Sequence, residues 1–276
     1  MQRFIFVIYK KFLPYTLNIM IKNIILIASG KGGVGKSTVS INLAVALSKI
    51  GKNKVGLLDG DIYGPSIPKM LDLKNKPTMS KNKKISPYEK FGIKCISIGN
   101  MIPKDNAIIW RGAMASRALR QLFEDVDWGE LDYLIVDLPP GTGDIQLSLC
   151  QNFSVDGSVI VSTPQEIALI DARKAMNMFK KVNVPILGFV QNMSYFEQNN
   201  KKNYIFGKNG VANEAKIQKI RLLGEIPILP KIVESCEVGV PIITKEKKIS
   251  EIFEHISRNL QSELEASTKK SVRIET

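Results

Sequence analysis

Residues 29–38 read Ser29-Gly30-Lys31-Gly32-Gly33-Val34-Gly35-Lys36-Ser37-Thr38. Within them Gly30, Gly35, Lys36 and Ser37 satisfy the pattern GxxxxGK[ST]. An apolar run, Ile24–Ala28, comes just before, and a stretch with Ile41, Ala44, Val45 and Leu47 on one helical face comes just after. Strand, glycine-rich loop and helix are the context this pattern needs to cradle phosphates. The glycines let backbone N–H groups turn inward around phosphate oxygens, and the helix N-terminus adds its positive dipole end. Lys36 then reaches the β- and γ-phosphates, and the Ser37 hydroxyl ligates Mg²⁺. Gly30 to Thr38 are thus the expected nucleotide-binding residues, including Gly32, Gly33 and Val34.

Outward from this loop, short apolar runs alternate with amphipathic stretches, which predicts an α/β domain with a doubly wound, mostly parallel sheet. The expected strands are Ile24–Ala28, Val55–Asp59, Cys95–Ile98, Leu134–Asp137, Ser158–Ser162, Ile186–Gln191 and Leu222–Ile226. Several are apolar throughout, as strands covered on both faces are. The expected helices are Lys36–Ile50, Ala113–Glu124, Asp144–Gln151, Ile167–Val182, Val211–Lys219 and Ile249–Leu264, with a short helix around Cys236. Pro77–Lys90 reads as a polar, lysine-rich loop. No linker or repeat divides the chain, so residues 22–265 are expected to form one ATPase domain. Residues 1–21 read as an N-terminal extension and residues 266–276 as a flexible tail. The extension carries Arg3, Lys10 and Lys11, no acid and no Ser. It reads as a transit peptide, a weak signal sequence or a strand–turn remnant, and the missing serines make it a poor transit peptide.

Two further segments supply carboxylates. Leu58-Asp59-Gly60-Asp61-Ile62-Tyr63-Gly64-Pro65 ends the second strand, where ligands bind in such sheets. Asp59 is expected to hold Mg²⁺ or its waters and Asp61 to orient the attacking water. Asp137-Leu138-Pro139-Pro140-Gly141-Thr142-Gly143-Asp144 follows the fourth strand. Asp137 takes the position behind Mg²⁺, Gly141 and Gly143 allow the loop to move when the γ-phosphate leaves, and Asp144 is expected to cap the next helix.

The stretch GKGGVGKST resembles the deviant phosphate loop of the MinD/ParA/nitrogenase-iron-protein class. That resemblance implies a homodimer in which Lys31 crosses to the partner's nucleotide, acting as an arginine finger does elsewhere. It also favours Asp61 for hydrolysis and implies that Asn192 hydrogen-bonds the adenine edge. Asp61–Pro68 (DIYGPSIP), Trp110–Gly112 (WRG), Asp137–Asp144 (DLPPGTGD), Ser162–Gln165 (STPQ), Gln191–Phe196 (QNMSYF) and Gly224–Pro241 together look like the Mrp/ApbC family. The match covers about residues 22 to 265. It implies a slow ATPase using ATP and Mg²⁺ that carries iron–sulfur clusters to apoprotein clients. The sequence departs from the family at one place. Many members have a CxxC pair shortly after the NMS segment, whereas Asn192–Lys201 holds no cysteine. Thiolates are the usual cluster ligands, so that ligand set does not carry over, and Cys95, Cys150 and Cys236 are poor substitutes. The small N-terminal domain of bacterial members is likewise not expected from the 21 residues before the match.

Composition narrows the alternatives. The chain has 39 Lys+Arg against 26 Asp+Glu, a net charge of +13, but its lysines cluster in two Asn-containing loops without interleaved aromatics. That pattern suits a solvated surface better than a specific nucleic-acid site. No apolar run reaches the roughly 18 residues that span a bilayer, so stable membrane insertion is not expected. A MinD-like or ParA-like positioning switch acting on membrane or DNA is the rival function. Against its membrane form, the amphipathic stretch Ile249–Leu264 carries Glu251, Glu254 and Glu263 on its polar face and reads as a packed terminal helix. An electron-transfer role like that of the nitrogenase iron protein would need cysteines between the switch segments. Three dispersed cysteines indicate a reducing compartment, and a cytoplasmic location is expected.

Overall fold

A computed structural model describes residues 21–101, 112–199 and 201–274. Residues 1–20, and Trp110 and Arg111 of the WRG motif, lie outside the described residues. The main sheet contains β1 (Ile21–Ala28), β2 (Val55–Asp59), β3 (Tyr88–Lys90), β4 (Ile93–Ser97), β5 (Leu131–Asp137), β6 (Gly157–Ser162), β7 (Ile186–Gln191) and β10 (Leu222–Glu225). Their order is β10-β7-β6-β1-β5-β2-β4-β3. Each pairs in parallel except β3, which runs antiparallel to β4. The expected doubly wound architecture is therefore present.

Strand alternation sends successive side chains to opposite faces. Ile25 and Ile27 of β1 join a core that includes α1 (Lys36–Gly51) and α8 (Lys247–Ile274). Leu26 and Ala28 join the opposite core, with α3 (Gly112–Glu124) and α4 (Asp144–Asn152). A smaller cluster packs α5 (Glu166–Lys181) and α6 (Gly210–Gln218) over β6 and β7. Two short helices complete the set, α2 (Ile67–Met70) and α7 (Pro230–Glu237).

Register decides where the carboxylates meet. Asp59 pairs with Asp137 across β2 and β5, and Asp137 also pairs with Ile27 of β1. All three positions lie at C-terminal strand ends, beside the loop that leaves β1. The chain runs from β1 toward β2 on one side and from β5 to β6 on the other, and ligands gather at such a switch point.

Three expectations shift, and one pair of strands is new. The lysine-rich segment 77–90 is not wholly a loop: it ends in β3, and Ile85 is tied to the helix end by Ile85 N→Asp125 O (2.7 Å) and Asp127 N→Ile85 O (2.8 Å). An exposed two-stranded hairpin, β8 (Phe196–Gln198) with β9 (Lys201–Asn203), has too little alternation to be seen in the sequence. The tail expected to fray after Glu265 stays helical to Ile274. Residues 265–274 contain no Gly or Pro, so a helix nucleated by the packed part continues at little cost per residue. Finally, α4 begins at Asp144 with Gly143 in the N-cap position, so Asp144 is the first helical residue and not the cap.

The last helix is fixed through Ile249, Phe253, Ile256 and Leu260, all essentially unexposed. Phe253→Ala is expected to cost about 3–5 kcal/mol in urea unfolding, through lost burial and a residual cavity, with the slope against urea unchanged.

Candidate functional site

The loop between β1 and α1 folds as its glycines dictate. Gly33 and Gly35 both have φ of 82°, in the left-handed region that side chains disfavour. At Gly30 the constraint is space: a Cβ there would sit 2.0 Å from the Asp171 carbonyl carbon of α5. Val34 is buried in the core, while Gly32 and Gly33 are exposed at the rim and Lys31 is half-buried. Helix α1 starts at Lys36, with Gly35 as its N-cap and no side chain capping the first turn. Its first N–H groups therefore face the mouth of the loop, alongside the half-buried Ser37 and Thr38.

Beneath the loop lies one ammonium among three carboxylates. Lys36 is 6% exposed, with Nζ 2.8 Å from Asp137 Oδ1 and 3.7 Å from Asp61 Oδ2. These are charge contacts, and Nζ makes no well-directed hydrogen bond to a described residue. Asp137 is fully buried and accepts from Ser37 Oγ and Ser40 Oγ, each at 2.6 Å. Asp59, also fully buried, accepts from Ser97 Oγ (2.7 Å), Asp61 N (3.2 Å) and Ile67 N (3.3 Å). Asp61 Oδ1 accepts from Gly64 N at 3.2 Å.

Burial, with the Asp137 charge next, holds the Asp59 carboxyl well above the usual carboxylate range; the Ser97 hydroxyl and Lys36 pull the other way. Burial raises Asp61 as well, opposed chiefly by Lys36. The group is short of positive charge. Its hydroxyl and carboxylate oxygens are hard donors of the kind a small divalent cation takes. Among the described residues no three His, Cys, Asp or Glu form a complete metal cage. Mg²⁺ does not need one when phosphates and waters complete its shell. The unpaired N–H groups of Lys36, the serine hydroxyl and the acidic set thus fit a magnesium–phosphate ligand.

A cleft of about 230 Å³ opens over this group, lined by Lys31 to Thr38, Asp61, Ser66 and Pro140 among others. Two larger grooves lie elsewhere, about 550 Å³ beneath the strand starts at Val55, Ile93 and Leu131, and about 610 Å³ between α2 and α7. Neither gathers buried ionised groups, so chemistry, not size, selects the cleft at the phosphate loop.

Asn192 sits at the same place, only 7% exposed. Its Nδ2 donates to Val34 O at 2.8 Å, and its backbone N donates to Ser162 O at 2.9 Å. The amide group is thus turned toward the phosphate loop, which leaves Oδ1 as the atom available to a base. Sequence reasoning passed over Ser40, Ser97 and Gln146. Ser40 lies four residues after Lys36, on the same helical face. Ser97 is the register partner of Asp59, a relation that appears only once strand order is known. Gln146 Nε2 donates to Pro139 O (2.8 Å) and steadies the loop after Asp137.

Cys95 and Cys150 lie apart from this machinery, whereas Cys236 meets its edge at the Thr38 hydroxyl. Burial pushes Cys95 in β4 up to about 12 and Cys150 in α4 up to about 11. Cys236 in α7 is half-buried; burial raises it while the Thr38 hydroxyl acts in the opposite direction. The stretch where many family members carry a cysteine pair forms the β8–β9 hairpin instead.

Known proteins match this chain along most of its length. A family model described as ParA, NUBPL iron-transfer P-loop NTPase, matches residues 20–261. The iron-sulfur cluster carrier protein of Aquifex aeolicus is 47% identical over 252 residues, covering 89% of this chain and 69% of the relative. The iron-sulfur cluster transfer protein NUBPL of Mus musculus is 46% identical over 252 residues, covering 90% and 79%. Among solved structures, a nucleotide-binding protein of Archaeoglobus fulgidus in complex with ADP superposes with a TM-score of 0.73 at 38% identity, covering 84% of this chain and 93% of that one. The cell division ATPase MinD of Pyrococcus furiosus gives a TM-score of 0.65 at 23% identity, covering 87% and 99%, which is a likeness of fold alone. Phosphate loop, carboxylate pair and relatives agree: the chain belongs to the NUBPL-type iron-transfer family of P-loop NTPases.

Proposed function

We propose that the protein binds and slowly hydrolyses ATP with Mg²⁺ as a homodimer, and that this cycle serves the carriage of iron–sulfur clusters to apoprotein clients. The observation that carries the nucleotide half is Lys36: a buried ammonium held against Asp137 and Asp61 without a directed hydrogen bond, under a loop of left-handed glycines. The carrier half rests on the family and on relatives described as cluster carrier and transfer proteins.

In this reading the N–H groups of Gly30 to Thr38 bind the phosphates and Lys36 leaves Asp137 for the β- and γ-phosphate oxygens. Asp61 orients the attacking water, Lys31 neutralises charge on the partner's nucleotide, and Asn192 Oδ1 meets the adenine amino group. Ser37, Asp59 and Asp137 would hold the metal or its waters. Bound Mg²⁺ supplies charge stabilisation to the phosphate oxygens. The domain doing this spans residues 22–265.

Among the described residues no helix is long and apolar enough to cross a membrane. All three cysteines are free, which suits a reducing compartment, and we place the protein in the cytoplasm. The membrane-acting rival finds no support in α8, whose apolar face is spent on the core.

Lys36→Ala is expected to abolish ATP binding in a calorimetric titration, or to cut turnover at least about a hundredfold; wild-type turnover would remove the phosphate-loop assignment. The carrier half is tested by iron and acid-labile sulfide per dimer after anaerobic reconstitution, on wild type and each Cys→Ala variant. A stoichiometric cluster is expected in wild type and is kept in Cys95→Ala, whose wild-type thiol is buried inside the sheet; any single variant that loses it names a thiolate ligand. A wild type without a cluster would leave an ATP-dependent switch and withdraw the carrier.

A further inference from the structure

We infer that Asn192 is a positioning residue for phosphate binding, a brace that holds the phosphate loop open before nucleotide arrives. The inference rests on the nucleotide site proposed above and adds to Asn192 a role separate from contact with a base.

A trans peptide unit is planar, so its C=O and the N–H of the next residue point in opposite directions. Asn192 Nδ2 takes the carbonyl of Val34 at 2.8 Å. That fixes the plane of the peptide joining Val34 to Gly35, and it turns the Gly35 N–H away from Asn192, toward the interior of the loop. Such inward N–H groups are what binds phosphate oxygens in glycine-rich loops. Without the brace this peptide is held only through its neighbours, the buried Val34 side chain and the helical turn closed by Val39 N→Gly35 O at 3.0 Å, while Gly35 itself populates several backbone regions at similar cost.

The brace is itself held. Asn192 N donates to Ser162 O at the end of β6, and Asn192 directly follows Gln191, the last residue of β7. Gln191 is fully buried; its Nε2 donates to Ser194 Oγ (2.7 Å) and Glu225 Oε1 (2.8 Å), and its Oε1 accepts from Val211 N (2.9 Å). The Asn192 amide is thus anchored to the rigid part of the sheet. Packing at Gly35 tells the same story. A Cβ there would sit 2.2 Å from Asn192 Nδ2, so glycine is needed at this position for the amide to reach the loop as well as for φ.

A base-reading residue and a loop brace differ in one respect. The brace matters to a ligand that has phosphates and no base. Binding of ATP and of inorganic tripolyphosphate is measured calorimetrically on wild type, Asn192→Leu and Asn192→Ala, together with the melting temperature of each ligand-free protein. The leucine variant keeps the volume and removes the donor; the alanine variant covers the case in which leucine does not fit. The expected result is a loss of about tenfold or more in tripolyphosphate affinity in a variant that melts within a few degrees of wild type, with ATP affinity falling at least as far. Unchanged tripolyphosphate affinity with weakened ATP binding would make Asn192 a base reader only and overturn the inference. Wild type that binds ATP but not tripolyphosphate would also overturn it, since the loop would then not be preformed. Wild type that binds neither would remove the nucleotide site itself.

Discussion

Much of this molecule follows from a single buried contact, the ammonium of Lys36 against the carboxylate of Asp137 at 2.8 Å. A charge withdrawn from water is tolerated only when it is paired and hydrogen-bonded. Here Ser37 and Ser40 satisfy Asp137, Ser97 and two backbone N–H groups satisfy Asp59, and Lys36 is left with charge contacts alone. The pairing is good enough to let the site exist within the fold and loose enough to be exchanged. Three acids share one neighbouring cation, and burial raises two of them, Asp59 well above the usual carboxylate range and Asp61 in the same direction. A ligand that brings phosphate oxygens for Lys36 and a divalent cation for the acids relieves both deficits together.

The sheet is what makes this contact possible. Parallel register sets Asp59 beside Asp137 and both beside the end of β1. Helix α1 is clamped between the sheet and α8, so Lys36, Ser37 and Ser40 leave it at fixed positions. Gly30 lets α5 come against the loop from one side, and Gly35 lets Asn192 come against it from another. The loop is therefore flanked by rigid elements on both sides.

How far the residues alone reveal this depends on whether the information is local. The phosphate loop, its strand and its helix were legible because the motif and its flanks are contiguous, and the apolar runs marked the main parallel strands. Asp59 and Asp137 were found because each ends such a run, and Asp61 because it follows Asp59 by two residues. The supporting hydroxyls of Ser40 and Ser97 were missed, since their partners lie 97 and 38 residues away in sequence. Short polar elements, β3 and the β8–β9 hairpin, escaped because they have almost no buried face to impose a period. The helical tail was misjudged for the opposite reason: propensity continued where the apolar stripe stopped. For Asn192 the resemblance pointed toward a base, whereas the amide donor points toward the loop.

The family assignment gives the site a purpose that its geometry alone does not. A cargo carrier driven by a nucleotide needs a state that differs with and without the γ-phosphate. Lys31 is half-buried in the loop, and in the proposed dimer it serves the nucleotide of a second copy of the chain. The most direct measurement is the solution mass by light scattering, with Mg²⁺ and a non-hydrolysable ATP analogue and then with ADP, for wild type and Lys31→Ala. Wild type with the ATP analogue is expected at twice the chain mass, with a larger monomer fraction in ADP, and Lys31→Ala is expected to bind the analogue but stay monomeric. A mass that is the same with either nucleotide, or a Lys31→Ala protein that associates as wild type does, would contradict this reading.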